Sequence, residues 1–231
     1  MNKQLFLQEV EQLGIYLTEK QISDLDTYYK LLVSYNEFVN LTAITKEEDV
    51  YLKHFYDSLT LFKGINLKEN LKICDIGTGA GFPGLVLKIV FPNLSITLVD
   101  SLEKRIKFLD LVIEKLNLKD IKTVHSRIED FNEEGFDVVV SRAVAKINVL
   151  LELGCKLPKI NGFFVFMKGN VDDELNSSKK ALKVLNYSLE KVINFKLPIE
   201  ESERNIVILK HLSPTLPKYP RQFSIIKKKP L

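Results

Sequence analysis

The sequence has few cysteine and histidine residues and no long apolar run. Its 231 residues include two cysteines, Cys74 and Cys155, and three histidines. No C-x-x-C pair or histidine cluster accompanies the cysteines, so a metal site is not expected, and both are interpreted as buried thiols in a reducing compartment. No apolar stretch approaches the roughly 20 residues that cross a bilayer. The first segment, MNKQLFLQEVEQLG, is amphipathic and carries acids, unlike a signal peptide. A cytoplasmic protein without a membrane anchor is therefore expected.

Acidic residues are absent from the end of the chain. Residues 204–231 hold seven Lys or Arg and no Asp or Glu, whereas the formal net charge of the whole chain is only +3. The rest of the chain therefore has 26 basic and 30 acidic side chains and a net charge of −4. A basic tail on a mildly acidic body is typical of proteins that contact a polyanion. A tail that is merely solvated would have the same composition.

Two hydrophobic patterns divide the chain. Residues 1–66 follow the helical period, and Thr18 with Gln21 predicts the capping box of a long helix. In residues 67–231, short apolar runs begin to alternate with helical patterns, which indicates a parallel sheet covered on both faces. Seven runs are predicted strands: LKICDIG, LSITLVD, IKTVHS, FDVVVS, GFFVFMKG, SLEKVINFKL and RNIVILKH. We predict an α/β fold with a mostly parallel seven-stranded sheet, helices on both faces and an N-terminal helical extension.

Residues 75–84, DIGTGAGFPG, follow the first predicted strand and lead into a helix. In such sheets ligands bind at the carboxyl ends of the strands, and glycines let the backbone approach a ligand closely. Two interpretations overlap here. Gly79 to Gly84 matches the G-x-G-x-x-G fingerprint of dinucleotide sites, whereas Asp75 to Gly81 matches the D-x-G-x-G-x-G turn of S-adenosylmethionine-dependent methyltransferases.

Two acids bear on the choice of cofactor. Asp100 ends the second predicted strand and could accept both ribose hydroxyls of an adenosine, which either cofactor has. Asp75 suits the cationic amino group of S-adenosylmethionine, whereas it would repel the pyrophosphate of a dinucleotide. No Tyr-x-x-x-Lys pair of a dehydrogenase follows in the sequence. S-adenosyl-L-methionine is therefore the predicted cofactor, and a NAD-binding oxidoreductase is the alternative.

The ends of the third and fourth predicted strands carry further candidates. Ile128 and Glu129 could hold an adenine through an apolar wall and a polar edge, unless Glu129 caps a helix. The fourth strand ends in VVVSRAVAK. It has neither the Asn/Asp-Pro-Pro-aromatic run of enzymes that methylate exocyclic amines nor a cysteine nucleophile. Arg142 could pair with the carboxylate of the cofactor, hydrogen-bond a guanine edge, or form a structural ion pair.

Several motifs together resemble one known family. They are DIGTGAGFPG, VDSLEKRIKFL, SRIED, the SRA after the fourth strand, MKG at the end of the fifth, YNEFVNLTAIT and HFYDSL near the start, and YPRQFSIIKKKPL at the end. In their order along the chain, they are similar to the motifs of the glucose-inhibited division protein B family of bacterial 16S ribosomal RNA guanine-N7 methyltransferases. The resemblance implies a Rossmann-like class I methyltransferase fold and an acceptor at N7 of one guanine in the decoding-region loop. It also implies a substrate in 16S ribosomal RNA or the small ribosomal subunit, and a monomer is expected.

The predicted site follows from this resemblance and from the residues themselves. The resemblance implies cofactor contacts for Gly77, Phe82, Ile128, Glu129 and Arg142. Asp75, Thr78, Gly79 and Asp100 complete the predicted cofactor set. Guanine N7 carries a lone pair and no proton, so attack on the methyl needs no general base.

Residues outside the predicted cofactor set are candidates for catalysis and RNA binding. Three residues are candidates for catalysis: Arg142, His54 and Asp57. His54 and Asp57 are expected to orient the guanine, and the alternative is that they form only a hydrogen bond on the helix surface. Asn40 and Thr42 are candidate RNA contacts or helix caps. Three basic residues are predicted to bind RNA phosphates: Lys168, Arg204 and Arg221.

Overall fold

A seven-stranded sheet forms the centre of the protein in this computed structural model, which describes residues 1–231. The strands are β1 (Lys72–Ile76), β2 (Ser95–Asp100), β3 (Ile121–His125), β4 (Phe136–Arg142), β5 (Pro158–Lys168), β6 (Tyr187–Lys196) and β7 (Glu203–His211). Their order in the sheet is β3-β2-β1-β4-β5-β7-β6. The predicted α/β fold with seven strands is confirmed.

The sheet is mixed in direction. Strands β1 to β5 pair in parallel, whereas β7 pairs antiparallel with both β5 and β6. The connection between β6 and β7 spans only residues 197–202. Such a short loop can join antiparallel strands, whereas parallel neighbours need a crossover of a dozen or more residues. The last two strands therefore form a hairpin at one edge of the sheet.

Helices cover both faces of the sheet. The helices that follow the strands are α5 (Gly84–Val90), α6 (Glu103–Lys115), α7 (Ile147–Leu153), α8 (Asp172–Leu185) and α9 (Phe223–Lys228). One core lies under α5 and α6 and the other under α7 and α8. Strand β4 contributes to both cores because its side chains alternate between the faces of the sheet. Val138 belongs to the first core and Val139 to the second.

The N-terminal segment is helical and packs on the α5–α6 face. It contains α1 (Lys3–Gln12), α2 (Glu19–Asn36) and one longer helix that changes its winding along its length. That helix runs through α3 (Glu47–Val50), a π-helical turn (Tyr51–Tyr56), α4 (Asp57–Leu59) and a 3₁₀ turn (Thr60–Lys63). The predicted capping box of α2, formed by Thr18 and Gln21, is confirmed.

The N-terminal helices and the sheet share one hydrophobic core. Tyr28 of α2, Phe55 of the π-helical turn and Val138 of β4 all belong to the same buried cluster. The boundary predicted between residues 66 and 67 stays a prediction about domain organisation. None of the helices combines the length and the apolar character needed to cross a membrane.

Candidate active site

The strand order reverses beside β1, because β2 lies on one side of it and β4 on the other. The carboxyl ends of parallel strands at such a point form the ligand-binding crevice of open α/β sheets. A cavity of about 1220 Å³ opens at this edge. It is lined by the glycine turn after β1, the ends of β2 and β4, and residues of the N-terminal helices.

The glycine turn is closely packed on one side and open on the other. Gly79 has φ +63°, and a Cβ built there would meet no atom within 4 Å. At Gly81, with φ +104°, a Cβ would lie 2.8 Å from the hydroxyl of Tyr28. That hydroxyl donates a hydrogen bond to the carbonyl of Ala80. The N-terminal helix α2 therefore supports the turn from behind, while Gly79 faces the cavity.

Asp75 lies beneath the turn and does not line the cavity. Its Oδ2 accepts hydrogen bonds from Thr78 Oγ1 at 2.7 Å and from the Gly84 backbone N–H at 2.8 Å. Its Oδ1 is buried without a partner, which is uncommon for a buried carboxylate oxygen. Burial raises the pKa of Asp75 to about 6. The predicted contact of Asp75 with a cofactor amino group stays a prediction, and Oδ1 is the atom free to make it.

Asp100 lines the cavity from the end of β2. It is almost fully buried, and it accepts hydrogen bonds from the backbone N–H groups of Gly79 and Leu102, each at 2.9 Å. Arg105 Nη1 lies 3.1 Å from Asp100 Oδ2. Sequence reasoning missed Arg105 as a site residue. Its position five residues after Asp100, in the first turn of the following helix, was the available signal.

Arg142 ends β4 and is the centre of a polar cluster. Its Nη1 donates to Asp57 Oδ2 at 2.9 Å and to the carbonyl of Lys53 at 2.8 Å. Its Nη2 lies 3.2 Å from His54 Nδ1, and its guanidinium carbon lies 5.1 Å from the centroid of the Phe82 ring. The candidate catalytic residues Arg142, His54 and Asp57 are therefore in direct contact, although 85 or more residues separate Arg142 from the other two.

His54 is a neutral and tightly held member of this cluster. Its ring stacks on Phe82 with centroids 4.2 Å apart, and its Nε2 lies 3.0 Å from Thr42 Oγ1. Burial and the nearby charge of Arg142 lower the pKa of His54 to about 3. His54 Nδ1 also lies 3.1 Å from the carbonyl of Lys53, so it accepts from Arg142 in one tautomer and donates to Lys53 in the other.

Asp57 is shared by two arginines. Arg204 Nε donates to its Oδ1 at 3.2 Å, while Arg142 occupies Oδ2. One carboxylate therefore faces two guanidinium groups, and Arg204 Nη2 also lies 4.0 Å from Glu200 Oε1. Asp57 and His54 reach the cavity from the helix that contains the π-helical turn Tyr51–Tyr56. Such turns occur frequently at functional sites, and the sequence pattern did not predict this one.

The remaining predicted cofactor residues also line the cavity. Ile128 and Glu129 belong to a 3₁₀ turn, Ile128–Asp130, that follows β3. Glu129 lies inside this turn and caps no helix, so the capping alternative does not apply. Of the nine predicted cofactor residues, eight line the cavity and Asp75 lies behind it.

The predicted RNA contacts occupy different environments. Thr42, Lys168 and Arg204 line the cavity. Lys168 is committed to Glu174 at 2.9 Å and to the carbonyl of Ala145 at 2.5 Å. Asn40 is exposed and outside the cavity. The loop that contains Asn40 is held by Asn36 instead, because Asn36 Oδ1 accepts hydrogen bonds from the backbone N–H groups of residues 41 and 42.

Arg221 is part of the fold and not of the cavity. Its Nε and Nη2 donate to the two oxygens of Glu152 at 2.5 and 2.6 Å, and Glu152 is fully buried. Asn148 Nδ2 also donates to the carbonyl of Leu231 at 3.1 Å. These contacts fix α9 and the end of the chain against α7. They correct the alternative of a merely solvated tail, and they leave the predicted role of Arg221 in RNA binding without support from its geometry.

Comparison with known proteins identifies the family. The profile described as "rRNA small subunit methyltransferase G" matches residues 21–207. A protein named "Ribosomal RNA small subunit methyltransferase G" from Bacillus velezensis is 46% identical over 237 aligned positions that cover 100% of this chain and 99% of its own. The protein of the same name from Bacillus subtilis is 44% identical over the same coverage. The chain belongs to the rRNA small subunit methyltransferase G family. The resemblance described from the sequence motifs is thus confirmed.

Solved structures agree with this family at the level of the fold. A SAM dependent methyltransferase from Aquifex aeolicus aligns with a TM-score of 0.56 and 17% identity, covering 74% of this chain and 97% of that one. The TYW2 protein of M. jannaschii in complex with AdoMet aligns with a TM-score of 0.52 and 15% identity, covering 62% and 68% of the two chains. The family is one of methyltransferases, which decides between the two interpretations of the glycine turn.

Proposed function

We propose that this protein transfers a methyl group from S-adenosylmethionine to N7 of one guanine in the decoding-region loop of 16S ribosomal RNA. The observation that carries the proposal is a single cavity that joins the glycine turn to the cluster of His54, Asp57 and Arg142. At about 1220 Å³ this cavity exceeds the roughly 300–1,000 Å³ of ordinary small-molecule sites. It has room for a cofactor and for a base beside it.

The residues around the glycine turn fit S-adenosylmethionine. Gly79 offers an open backbone edge, and the unpartnered Oδ1 of Asp75 suits a cationic amino group. Asp100 suits ribose hydroxyls, and the turn of Ile128 and Glu129 suits an adenine. When bound, the cofactor supplies an electrophilic methyl group on a sulfonium centre. The guanidinium of Arg142 would attract the carboxylate of the cofactor.

The cluster suits an acceptor that loses no proton. N7 of guanine is an unprotonated acceptor on the major-groove edge of the base. His54 is the one imidazole in the cluster, and a pKa of about 3 makes it a weak base at neutral pH. These side chains would therefore position the guanine, and positioning alone can lower a barrier by several kcal/mol. Arg142 and Thr42 are the donors available for the polar edge of the base.

The charge of the cavity suits RNA. Eight Lys or Arg and three Asp or Glu line it, so the lining residues carry a net charge of +5. The sulfonium group of the cofactor is also a cation and does not balance this charge. This lining suits an anionic partner, and relatives of this chain are named ribosomal RNA methyltransferases. Lys168, Arg204, Thr42 and Asn40 are proposed RNA contacts, with affinity falling as salt rises. We further propose that the protein acts as a cytoplasmic monomer.

Transfer of labelled methyl tests this function. Small ribosomal subunits and free 16S RNA are prepared from a strain that lacks the enzyme, and each is incubated with the protein and labelled S-adenosylmethionine. Label is expected in 16S RNA from one or both substrates. Absence of label from both, together with thermal stabilisation by NAD and not by S-adenosylmethionine, would contradict the proposal. Label in another RNA alone would favour a methyltransferase with a different acceptor.

A further inference from the structure

Most cations of the cavity already have an anionic partner within the protein. Six of the eight are within 4.0 Å of an acid: Lys53 beside Asp49 and Glu200, Arg105 beside Asp100, Arg127 beside Glu129, Arg142 and Arg204 beside Asp57, and Lys168 beside Glu174. The other two, Lys146 and Lys227, form no ion pair and their side chains make no hydrogen bond. Both are exposed. Their ammonium groups keep all their donors free for a ligand.

The two free lysines lie on neighbouring elements at one part of the cavity wall. Lys146 directly precedes α7, and Lys227 lies on α9, which packs against α7. Ile226 is buried and fixes which side of α9 faces inward. The bidentate pair of Arg221 with Glu152 holds α9 in place. The positions of both lysines are therefore set by the fold.

An aromatic ring accompanies the free lysines. Phe223 is 38% exposed, lines the same cavity, and stands four residues before Lys227 on α9. Side chains four apart share one face of a helix. An exposed aromatic ring beside free cations is the arrangement that binds single-stranded nucleic acid, in which bases stack on the ring and phosphates contact the charges.

We propose that Lys146 and Lys227 bind phosphates of the RNA strand that flanks the target guanine, and that Phe223 stacks on a neighbouring unpaired base. This assignment rests on the proposed function and names the residues by which the substrate is held. Unlike Lys168 and Arg221, which form ion pairs inside the protein, Lys146 and Lys227 have no internal anionic partner to exchange for a phosphate. The tail contributes through the inner side of α9.

The chain offers a matched control at the end of the same helix. Lys228 and Lys229 are exposed, carry the same charge and do not line the cavity. The double variant Lys146→Ala/Lys227→Ala is compared with Lys228→Ala/Lys229→Ala, so both lose two positive charges. RNA affinity is measured by fluorescence anisotropy with a 16S decoding-region fragment over a range of salt concentrations, and cofactor affinity by calorimetry.

The cavity variant is expected to lose about 1.4 from the slope of log K against log salt, since each phosphate contact on a single strand contributes about 0.7. The control is expected to lose less than half of that, and cofactor affinity is expected to stay unchanged in both. Phe223→Ala should weaken RNA binding about fivefold or more, while Ile225→Ala, which removes an exposed side chain from the same helix, should not.

The outcomes separate this assignment from the proposed function. Equal slopes for the two double variants, in a protein whose wild type methylates ribosomal RNA, would overturn the assignment alone. A cavity variant that loses cofactor affinity as much as RNA affinity would overturn it too. A wild-type protein that binds and methylates no ribosomal RNA would overturn the proposed function and the assignment together.

Discussion

The N-terminal helices and the C-terminal tail both border the cavity, but different forces hold them in place. On the N-terminal side, the fully buried Tyr28 packs against Phe55 and Phe82 with ring centroids 5.4 and 5.6 Å apart. On the C-terminal side, α9 is held by the Arg221–Glu152 ion pair. The first region is fixed by aromatic packing, whereas the second combines the packing of Ile226 with a buried ion pair.

This difference matches the two tasks of a methyltransferase on RNA. Aligning a nucleophile with a methyl group depends on positions within a fraction of an ångström, and close-packed side chains hold such positions. Holding a long polyanion depends on charges that act over a Debye length of about 8–10 Å and tolerate small displacements. We therefore expect changes in the first region to affect the chemical step and the cofactor, and changes in the second to affect RNA binding and the attachment of the tail.

The largest effect is expected at Arg142. Replacing it with Ala removes the charge that contacts both Asp57 and His54, and methyl transfer should fall roughly 10²–10³-fold, as when one preorganised donor is removed from an active site. The fold should survive, because Arg204 still pairs with Asp57. Single-turnover transfer and circular dichroism check both parts. Full activity in Arg142→Ala would remove this residue from the site.

Glu152→Ala should produce the next largest effect, on stability. The change leaves the partly exposed Arg221 without its partner, and losing hydrogen bonds between charged groups costs about 1.5–3 kcal/mol. Urea unfolding measures the loss. The matched change Glu103→Ala breaks an exposed pair with Lys107 and should cost much less, since exposed ion pairs contribute little to stability. Equal losses would mean that the tail does not depend on the buried pair.

The pH dependence of the free energy of unfolding should show opposite contributions from two buried side chains, His54 and Asp75. The native pKa of His54 is about 3, below its ordinary 6.5, so between these values only the unfolded chain binds the proton and stability falls as the pH falls. The native pKa of Asp75 is about 6, above its ordinary 3.8. Here the native protein binds the proton first, so this group makes stability rise as the pH falls from about 6 to 4.

Removing either group should therefore tilt the profile in opposite directions. Between pH 6 and 4, His54→Gln should lose less stability than the wild type and Asp75→Asn should lose more, each by about 1 kcal/mol per pH unit. Urea unfolding at several pH values measures both differences. Parallel profiles for the three proteins would show that neither group is buried in the state assigned to it.

The smallest effect is expected from one hydroxyl group. Tyr28→Phe removes the hydrogen bond to the carbonyl of Ala80 in the glycine turn, and cofactor binding should weaken about fivefold, equivalent to roughly 1 kcal/mol. Tyr51→Phe is the control. Tyr51 belongs to the same aromatic cluster, and its buried hydroxyl makes no hydrogen bond. Calorimetry with S-adenosylmethionine checks the difference. Equal cofactor affinities in the two variants would show that α2 does not support the turn.

The predictions from sequence succeeded where the pattern was local. Strand periodicity, the capping box at Thr18 and the glycine turn each depend on neighbouring residues, and all three are present in the structure. The contact of Arg142 with Asp57 joins residues 85 positions apart. The chemistry of each residue type suggested that both belong to the site, but only the fold brings them together.

The sequence could not predict which basic side chains form ion pairs inside the protein. Arg221 and Lys227 are both basic residues of the same tail, yet one is neutralised by Glu152 and the other is free at the cavity. The sequence gives no sign of which cation meets an internal acid, since Glu152 lies 69 residues away. For the same reason the sequence did not show that Asp75 accepts hydrogen bonds from Thr78 and Gly84 beneath the turn, while its contact with the cofactor stays a prediction.

The position of the transferred methyl tests the central claim most directly. 16S RNA methylated by the protein is treated with borohydride and aniline, which cleave the chain at N7-methylguanine, and the break is located by primer extension. Cleavage at one guanine of the decoding-region loop, dependent on the protein, is the expected result. Labelled RNA that resists this cleavage would place the methyl on another atom. That result would contradict transfer to N7 without a general base.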